Sequence, residues 1–247
     1  GIQEKRLAED AIERAVACLL RYKKQCDLHG VSSIRAIGTS AIRDAHNRSE
    51  LIERVALETG IHIEVISGLE EAQLIYRGVH QTMSFGDSAL IMDIGGGSTE
   101  FILADDNGLI AMESFNIGVS RIHQQFTFSD PMSPADILAI ESYLEAACGD
   151  YLRQLKTTKL IGSSGSFETF FELMYEQAFQ AKGRAVEVDF SHFGDMLAKI
   201  IVSSQAERDQ NPHIIPIRKR MVPIAAVKTR WVLRQIAISQ VFISPYS

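Results

Sequence analysis

Residues 91–100 read Ile91-Met92-Asp93-Ile94-Gly95-Gly96-Gly97-Ser98-Thr99-Glu100, with three glycines directly between two apolar runs. The runs Ser88–Ile94 and Phe101–Ala104 predict two strands joined by a tight turn. Because glycine has no Cβ atom, such a turn can adopt positive φ and let a ligand approach its N–H groups. Successive N–H groups of this kind form a concave anion site. The stretch therefore predicts a phosphate-binding loop, with an ordinary glycine hairpin as the alternative.

Four polar side chains beside the glycines extend this predicted site. Ser98 and Thr99 add hydroxyl donors, and Asp93 and Glu100 supply hard oxygen ligands of the kind that Mg²⁺ prefers. Asp93 ends an apolar strand, where burial of an unpaired carboxylate is costly, so a functional role is favoured. Glu100 is equally compatible with a solvated charge on a strand.

Two other glycine motifs fit the same stretch less well. A Walker loop requires Gly-Lys-Ser/Thr at the start of a helix, and no lysine follows Gly97. A Rossmann fingerprint requires a third glycine where Glu100 stands and a helix after it, whereas Phe101–Ala104 is strand-like. The sequence therefore favours a phosphate loop between two strands.

The composition limits the class of protein. The chain has 247 residues, 46% of them apolar, which suffices for two domains of moderate size or one large one. A net charge of −6 argues against a general nucleic-acid-binding protein. No apolar run approaches the length of a transmembrane helix, and Gln3–Arg6 leads into an amphipathic helix rather than a signal peptide. We therefore expect a cytoplasmic protein without nucleic-acid or membrane partners, whose Cys18, Cys26 and Cys148 are reduced thiols.

Alternating strand and helix patterns predict an α/β layered architecture. Predicted helices begin near Leu7 (ending before Gly30), Asn47 (ending at Thr59), Ser67, Ser133 (ending near Leu155), Ser166 (ending at Gln180), Ser191 (ending at Ser203) and Met221 (ending at Gln235). Predicted strands are Ser33–Gly38, His62–Ile66, Ser88–Ile94, Ser98–Asp105, Leu109–Asn116, Lys159–Ser163 and Gln240–Ser244. Asn47 and Ser67 each precede a glutamate by three residues, which is the spacing of a capping box.

Three segments match a known family in residues, order and spacing. Gly38–Arg43, Val65–Val79 and Asp93–Glu100 closely resemble the exopolyphosphatase / guanosine pentaphosphate phosphohydrolase (Ppx/GppA) family. Asn116–Arg121 and the glycine-serine turn Gly162–Ser166 extend the resemblance over nearly the whole chain.

The resemblance implies an α/β fold of two ribonuclease-H-like domains of the actin, sugar-kinase and heat-shock-ATPase superfamily, with the active site in an interdomain cleft. It places the N-terminal domain at residues 1–74 and the C-terminal domain, with the Gly95–Ser98 phosphate loop, at residues 75–247. Family members begin with a strand hairpin that carries an Asp-x-Gly-Ser/Thr-Asn phosphate loop, and their fold continues beyond the segment that ends at Ser247. We therefore expect the first strands of the N-terminal domain and a C-terminal segment to be missing from this sequence.

The resemblance also implies roles for individual residues. Glu71 matches the glutamate proposed to orient or deprotonate the attacking water, and Asp93 and Glu100 match acids placed around Mg²⁺ and the phosphoryl group. The implied phosphate-binding residues are Gly95, Gly96, Gly97, Ser98, Thr99 and Arg43. Two structural readings stay open. Glu71 lies in a first helical turn, where a carboxylate favours the helix dipole, and Arg43 can pair with Asp44 or Asp10 on the surface.

These observations predict an exopolyphosphatase that uses Mg²⁺ to hydrolyse the terminal phosphate of inorganic polyphosphate. Open alternatives are hydrolysis of guanosine pentaphosphate in the stringent response, a noncatalytic module that binds polyphosphate or alarmone, and a phosphotransferase of the same superfamily. A homodimer is compatible with the apolar residues of the last helix.

Two further segments carry open readings. The basic run Arg218–Arg220, with Lys228 and Arg230 beyond it, is either a guide for polyphosphate or a solvated face. The Gly162–Gly165 turn is either a second anion site at a helix N-terminus or a plain connection.

Overall fold

The computed structural model describes residues 4–180 and 182–247, and the chain divides into two compact units, Gly1–Glu71 and Ala72–Ser247. Both units combine strands and helices, so the predicted α/β class is confirmed. The boundary between the units falls within the helix Gly68–His80, as does the predicted domain boundary after residue 74.

The bounds of the elements are as follows. The helices are α1 (Glu9–Leu28), α2 (Ser40–Arg43), α3 (Arg48–Thr59), α4 (Gly68–His80), α5 (Val119–Gln125), α6 (Pro134–Leu144), α7 (Asp150–Gln154), α8 (Gly165–Tyr175), α9 (Phe190–Ile201), α10 (Gln205–Gln210) and α11 (Val222–Gln235). The strands are β1 (Ala36–Gly38), β2 (Ile63–Val65), β3 (Ala89–Ile94), β4 (Thr99–Asp105), β5 (Gly108–Phe115), β6 (Lys159–Ser163), β7 (Val186–Val188) and β8 (Gln240–Ile243).

The unit Gly1–Glu71 contains a parallel pair of short strands, β1 and β2. Helices α1 and α3 pack together around a small apolar core formed by Ile12, Val16, Leu51, Val55 and Ile61. Helix α3 ends at Gly60 in the left-handed conformation, as predicted. Asn47 does not cap α3 with its side chain. Its amide instead accepts from the N–H of Leu7 and donates to the Leu7 carbonyl, which ties the approach to α1 onto α3.

The unit Ala72–Ser247 is built on a six-stranded mixed sheet in the order β5-β4-β3-β6-β8-β7. Strands β3, β6 and β8 are parallel, and the other neighbours pair antiparallel. One apolar cluster joins Ala72, Ile75 and Val79 of α4 to the sheet. The larger cluster includes residues of α5, α6, α8, α9 and α11. This second cluster supports the segments that form the site described below.

Strands β3, β4 and β5 form the predicted pair of hairpins. Ile94 pairs with Thr99 across the glycine turn, so only four residues connect β3 and β4. In the second turn the Asp105 carboxylate accepts the N–H groups of Asn107 and Gly108, which stabilises the predicted Asn-Gly connection.

Several elements differ from the sequence prediction. The helix expected from Ser133 to about Leu155 is interrupted by a π-helical turn, Glu145–Gly149. Helix α8 stops at Tyr175 because Glu176 adopts a left-handed conformation. Helices α2, α5 and α10 and strand β7 were not predicted, because each is too short to show a hydrophobic period of its own.

Two observations bear on the predicted environment. No helix within the described ranges is both long enough and apolar enough to cross a bilayer. Cys18, Cys26 and Cys148 are free thiols, and burial raises the pKa of Cys148 to about 12.

The cap of α6 yields a stability prediction. Ser133 and Asp136 form a reciprocal capping box, and hydrogen bonds from the Ser129 and Ser133 hydroxyls lower the pKa of Asp136 from 3.8 to about 2. Because the folded pKa lies below the unfolded value, the carboxylate stabilises the fold above pH 3.8, and this contribution is lost as the pH falls towards 2. Asp136→Asn should therefore lower the free energy of unfolding at neutral pH by about 1 kcal/mol. Urea unfolding of both proteins at neutral and acid pH measures this difference in the free energy of unfolding.

Asp195→Asn is the matched control, because Asp195 is exposed on α9 and lies outside any cap. The control should leave the unfolding midpoint unchanged at both pH values. An Asp136→Asn protein as stable as wild type at neutral pH would show that the capping box contributes nothing to stability.

Candidate active site

Hydrogen bonds to its backbone carbonyls hold the Gly95–Ser98 loop between β3 and β4 in place. The N–H of Gly95 donates to the Ser98 carbonyl at 3.1 Å and closes the turn. The start of α5 then binds the three glycine carbonyls: Gly118 N–H reaches Gly97 O at 3.1 Å, Val119 N–H reaches Gly95 O at 3.1 Å, and Ser120 N–H reaches Gly96 O at 2.9 Å. The carbonyls therefore face α5.

The opposite side of the loop presents N–H groups. Within the described ranges, the N–H groups of Gly96, Gly97 and Ser98 donate to no backbone carbonyl, and Gly96 is exposed. Buried backbone donors normally have partners, so a row of such donors beside an exposed residue is suited to an incoming anion.

Glycine is suited to this loop because there is little room for a Cβ atom, and not because the backbone adopts positive φ. Neither Gly95 nor Gly96 has a positive φ, contrary to the expectation from sequence. A Cβ atom on Gly95 would lie 3.1 Å from the Ser98 carbonyl oxygen, and one on Gly96 would lie 3.2 Å from Ser120 Oγ. The turn is tight against its own strand and against α5, so a side chain at either position would require a neighbouring atom to move by a few tenths of an ångström.

Gly118 provides the closest packing against the loop. A Cβ atom at this position would lie 2.2 Å from Gly96 O and 2.4 Å from the carbonyl carbon of Gly97. Arg121, one helical turn later, donates from Nε to Gly97 O at 2.9 Å. Sequence reasoning did not assign Gly118 to the site. The available signal was its position in Asn116–Arg121, one of the segments that carry the family resemblance.

The two predicted acidic ligands lie in a polar row across the sheet. Asp93 and Glu100 pair directly on β3 and β4, and Ser163 and Ser114 continue the row on β6 and β5. Asp93 and Glu100 are only 7% and 1% exposed, so the reading of Glu100 as a solvated charge is wrong. Ser114 Oγ donates to Glu100 Oε1 at 2.7 Å. Both carboxylates therefore lie within the sheet next to the glycine loop.

The chemistry of this pair is compatible with Mg²⁺. Buried carboxylates at paired positions repel each other unless a cation or a proton compensates the charge. Among the described side chains, no group of three or more His, Cys, Asp and Glu residues is placed to hold a metal. Mg²⁺ is commonly bound by one or two carboxylates, with waters and substrate phosphates completing its shell. Asp93 and Glu100 fit that arrangement.

Arg43 and Glu71, both in the unit Gly1–Glu71, are brought together. Arg43 Nη1 lies 3.1 Å from Glu71 Oε2 and donates to the Ile66 carbonyl at 3.0 Å. The two side chains are 21% and 18% exposed. Glu70, the neighbour of Glu71, completes the predicted capping box with Ser67 at the start of α4. The two adjacent glutamates therefore have different partners.

The basic residues beyond Pro216 do not form a continuous guide. Lys228 is fully buried, so the reading of this residue as a surface guide is wrong, whereas Arg230 is half-buried and pairs with Glu141. Arg218 donates to Thr169 Oγ1 at 3.0 Å, and Lys219 binds the Asp209 carbonyl. Of the run Arg218–Arg220, Arg220 is the exposed member.

Lys228 lies behind the glycine loop. Its Nζ donates to Thr99 Oγ1 at 2.6 Å and to the carbonyl of Ile117, and burial lowers its pKa from 10.5 to about 7. The Thr99 hydroxyl, predicted to contact phosphate, thus contacts an ammonium group in the core. Sequence reasoning missed this interaction, although a lysine within the largely apolar helix α11 was a visible signal.

The β6–α8 turn lies beside the loop. Ser164 has a φ of 76° and donates from Oγ to Ile94 O at 3.1 Å. A cavity of about 260 Å³ separates the two turns. Its lining is mainly apolar. The glycines Gly96 and Gly165 and the polar residues Ser120, Ser166 and Arg218 also line it. The second anion site predicted at this turn stays a prediction.

Comparison with known proteins finds relatives whose names include a phosphatase and a pyrophosphatase. The chain is 40% identical over 134 residues to a bifunctional 3-dehydroquinate synthase/phosphatase of Fusobacterium nucleatum, covering 53% of this chain and 20% of that protein. It is 29% identical over 211 residues to a guanosine-5'-triphosphate,3'-diphosphate pyrophosphatase of Aeromonas hydrophila, covering 84% of this chain and 41% of that one. The chain therefore spans less than half the length of these curated relatives.

A solved structure agrees closely with this fold. The crystal structure of an exopolyphosphatase from Cytophaga hutchinsonii matches with a TM-score of 0.95 and 31% identity, covering all of this chain and 82% of that one. The model of the Ppx/GppA phosphatase family matches residues 2–247. The predicted resemblance is confirmed over the whole matched length. The chain belongs to the Ppx/GppA phosphatase family.

Proposed function

We propose that the protein is an exopolyphosphatase, which hydrolyses the terminal phosphate of inorganic polyphosphate through Mg²⁺-assisted attack of water. One observation carries the proposal: within the described residues the N–H groups of Gly96, Gly97 and Ser98 donate to no backbone carbonyl, while the glycine carbonyls are bound by α5. Phosphoryl transfer requires mainly positioning and charge neutralisation, and a row of fixed N–H donors supplies both to the terminal phosphate.

The remaining predicted residues have complementary roles in this proposal. Glu71 acts as the base that orients and deprotonates the attacking water, and Arg43, 3.1 Å from its carboxylate, fixes its orientation. Arg43 also carries positive charge that can meet a phosphate oxygen. The predicted phosphate contact of the Ser98 hydroxyl adds a donor at the end of the loop.

Asp93 and Glu100 are the residues that would hold Mg²⁺. When bound there, the ion would neutralise charge on the phosphate oxygens. The paired, buried position of the two carboxylates supports this assignment, because a divalent cation removes their mutual repulsion. Free thiols at Cys18, Cys26 and Cys148 support a cytoplasmic location.

A second candidate substrate is guanosine pentaphosphate, the substrate class of a stringent-response enzyme. The cavity of about 260 Å³ beside Gly96 favours it, because the cavity walls include Ile94, Val119 and Met221. Apolar walls of this kind suit a nucleoside better than a chain of phosphates. The name of the Aeromonas relative points in the same direction.

Phosphate release distinguishes these functions. The protein is incubated with polyphosphate or with guanosine pentaphosphate, with Mg²⁺ and with excess chelator. We expect Mg²⁺-dependent release of orthophosphate from polyphosphate at the higher kcat/KM, and loss of release in the chelator. A higher kcat/KM for the nucleotide would transfer the assignment to the second candidate. Tight binding by calorimetry without release would replace hydrolysis by a noncatalytic binding function.

A further inference from the structure

We propose that Lys228 is a positioning residue of the phosphate loop, because its ammonium group bridges the strand that leaves the loop and the segment that backs it. The proposal rests on the proposed function of the Gly95–Ser98 loop as the phosphate site. Lys228 is proposed to keep the loop in position and not to contact the substrate directly.

The two acceptors of Lys228 lie on either side of the loop structure. Thr99, which accepts at 2.6 Å, is the first residue after Ser98. Ile117, whose carbonyl is the second acceptor, immediately precedes Gly118. One ammonium group therefore fixes the exit of the loop relative to the start of α5.

The segment after Ile117 is the support on which the loop rests. Gly118 packs so closely that a Cβ atom would lie 2.2 Å from Gly96 O, and its N–H donates to Gly97 O. A shift of this segment relative to β4 would move the glycine carbonyls, and the N–H groups on the far side of the same peptides would turn with them. Lys228 opposes that shift from the core.

Burial of the Lys228 ammonium group has a desolvation cost in free energy, and the need to fill space in the core does not explain why a lysine is used here. The side chain is fully buried in the main apolar cluster of its unit, and burial lowers the pKa of its ammonium group to about 7. Methionine has a similar length and could fill the space without a desolvated charge. Buried ionisable groups with perturbed pKa values cluster at functional sites, so a buried ammonium group next to a binding loop is a candidate for a functional role.

The Asp93–Glu100 pair lies on the other face of the sheet from Thr99 Oγ1, since successive residues of a strand point to opposite faces. The ammonium group and the acidic pair therefore flank β4 from opposite sides. Lys228 does not enter the acidic row, but its charge is attracted by Glu100 and Asp93, so kcat is measured at saturating Mg²⁺ to separate the hold on the loop from metal binding.

Lys228→Met is the primary test. Because a displaced loop misplaces its N–H donors, we expect kcat for phosphate release to fall about tenfold or more. The midpoint of thermal unfolding does not decide the question, because methionine removes a desolvated charge but also leaves the Thr99 hydroxyl and the Ile117 carbonyl without their donor. A residue with only a structural role would leave the kcat of the folded fraction unchanged.

Lys159→Met is the matched control. Lys159 Nζ also donates to a backbone carbonyl, that of Phe85 at 2.9 Å, but it lies at the start of β6, at the opposite end of this strand from Ser163. Lys159→Met should keep the wild-type kcat. Thr99→Val, which removes the acceptor and preserves shape, should reproduce the loss seen in Lys228→Met and decides the question if that variant does not fold.

The outcomes separate this inference from the proposed function. An active wild type and an equally active Lys228→Met protein would overturn the role of Lys228 and leave the proposed function standing. A wild type that releases no phosphate from either substrate would overturn the proposed function instead. Calorimetric binding of orthophosphate then decides the inference: weaker binding by Lys228→Met supports it, and equal binding overturns it.

Discussion

Glu71→Gln is expected to lower kcat for phosphate release from polyphosphate by about 10²–10⁴-fold, the usual contribution of a general base. Glutamine preserves the size of the side chain and a hydrogen-bond acceptor near Arg43, but it cannot take a proton from water. Because Glu71 is proposed to act on water rather than on substrate, KM should change much less than kcat. Steady-state phosphate release with Mg²⁺ measures both constants.

The adjacent Glu70 offers the matched control. Its carboxylate accepts the N–H of Ser67 in the capping box of α4, an interaction that glutamine also makes. Glu70→Gln should therefore retain the wild-type kcat, although hydrogen bonds from Ser67 lower the pKa of the Glu70 carboxyl and loss of the charge should reduce stability slightly. Equal rates for Glu71→Gln and wild type would remove Glu71 from the mechanism. Equal losses in both variants would instead attribute the effect to the helix terminus that the two residues share.

Local patterns in the sequence predicted most of the elements that frame the site. The apolar runs before and after Gly95–Gly97 gave both strands of the hairpin, and Asn107-Gly108 gave the next turn. Ser67 and Ser133 marked helix starts through their spacing to an acid. These signals work because the interactions that they report lie within a few residues of each other in the chain.

Contacts between distant residues were beyond such patterns. Asn47 has the spacing of a cap, yet its amide binds the backbone of Leu7, and this competing partner cannot be read from neighbouring residues. Lys228 similarly looked like one member of a basic surface, because its burial depends on how α11 packs against β4 and α5. Residues 222–229 of α11 are all buried, so no alternation of buried and exposed positions marked the lysine.

The candidate site itself was predicted in part. The glycine loop, Asp93, Glu100, Glu71 and Arg43 were all chosen from motifs, and the structure pairs Asp93 with Glu100 and Arg43 with Glu71. Their roles stay predictions. Which side of the loop faces an anion could not be predicted from local patterns, because it depends on α5, a helix too short to show a hydrophobic period.

Gly118→Ala should produce the other large loss of activity. Gly118 has φ −60° and ψ 156°, a conformation that alanine adopts readily, so only space opposes the added methyl group. That methyl group would lie 2.2 Å from Gly96 O, which the structure can relieve only by moving the Gly96–Gly97 peptide or α5. Since a misplacement of about 1 Å can cost 10²-fold in rate, we expect kcat to fall about 100-fold. Overpacking should also lower the free energy of unfolding by about 1–3 kcal/mol.

Gly194→Ala controls for the exchange of glycine by alanine. Gly194 is exposed on α9, and a Cβ atom there would meet nothing within 4 Å. This variant should keep the wild-type kcat and gain about 0.5–1 kcal/mol of stability from the higher helix propensity of alanine. Phosphate release and thermal unfolding of both variants give the comparison. A folded Gly118→Ala protein with wild-type kcat would mean that the rate does not depend on where α5 holds the glycine peptides, and the phosphate loop would lose its structural basis.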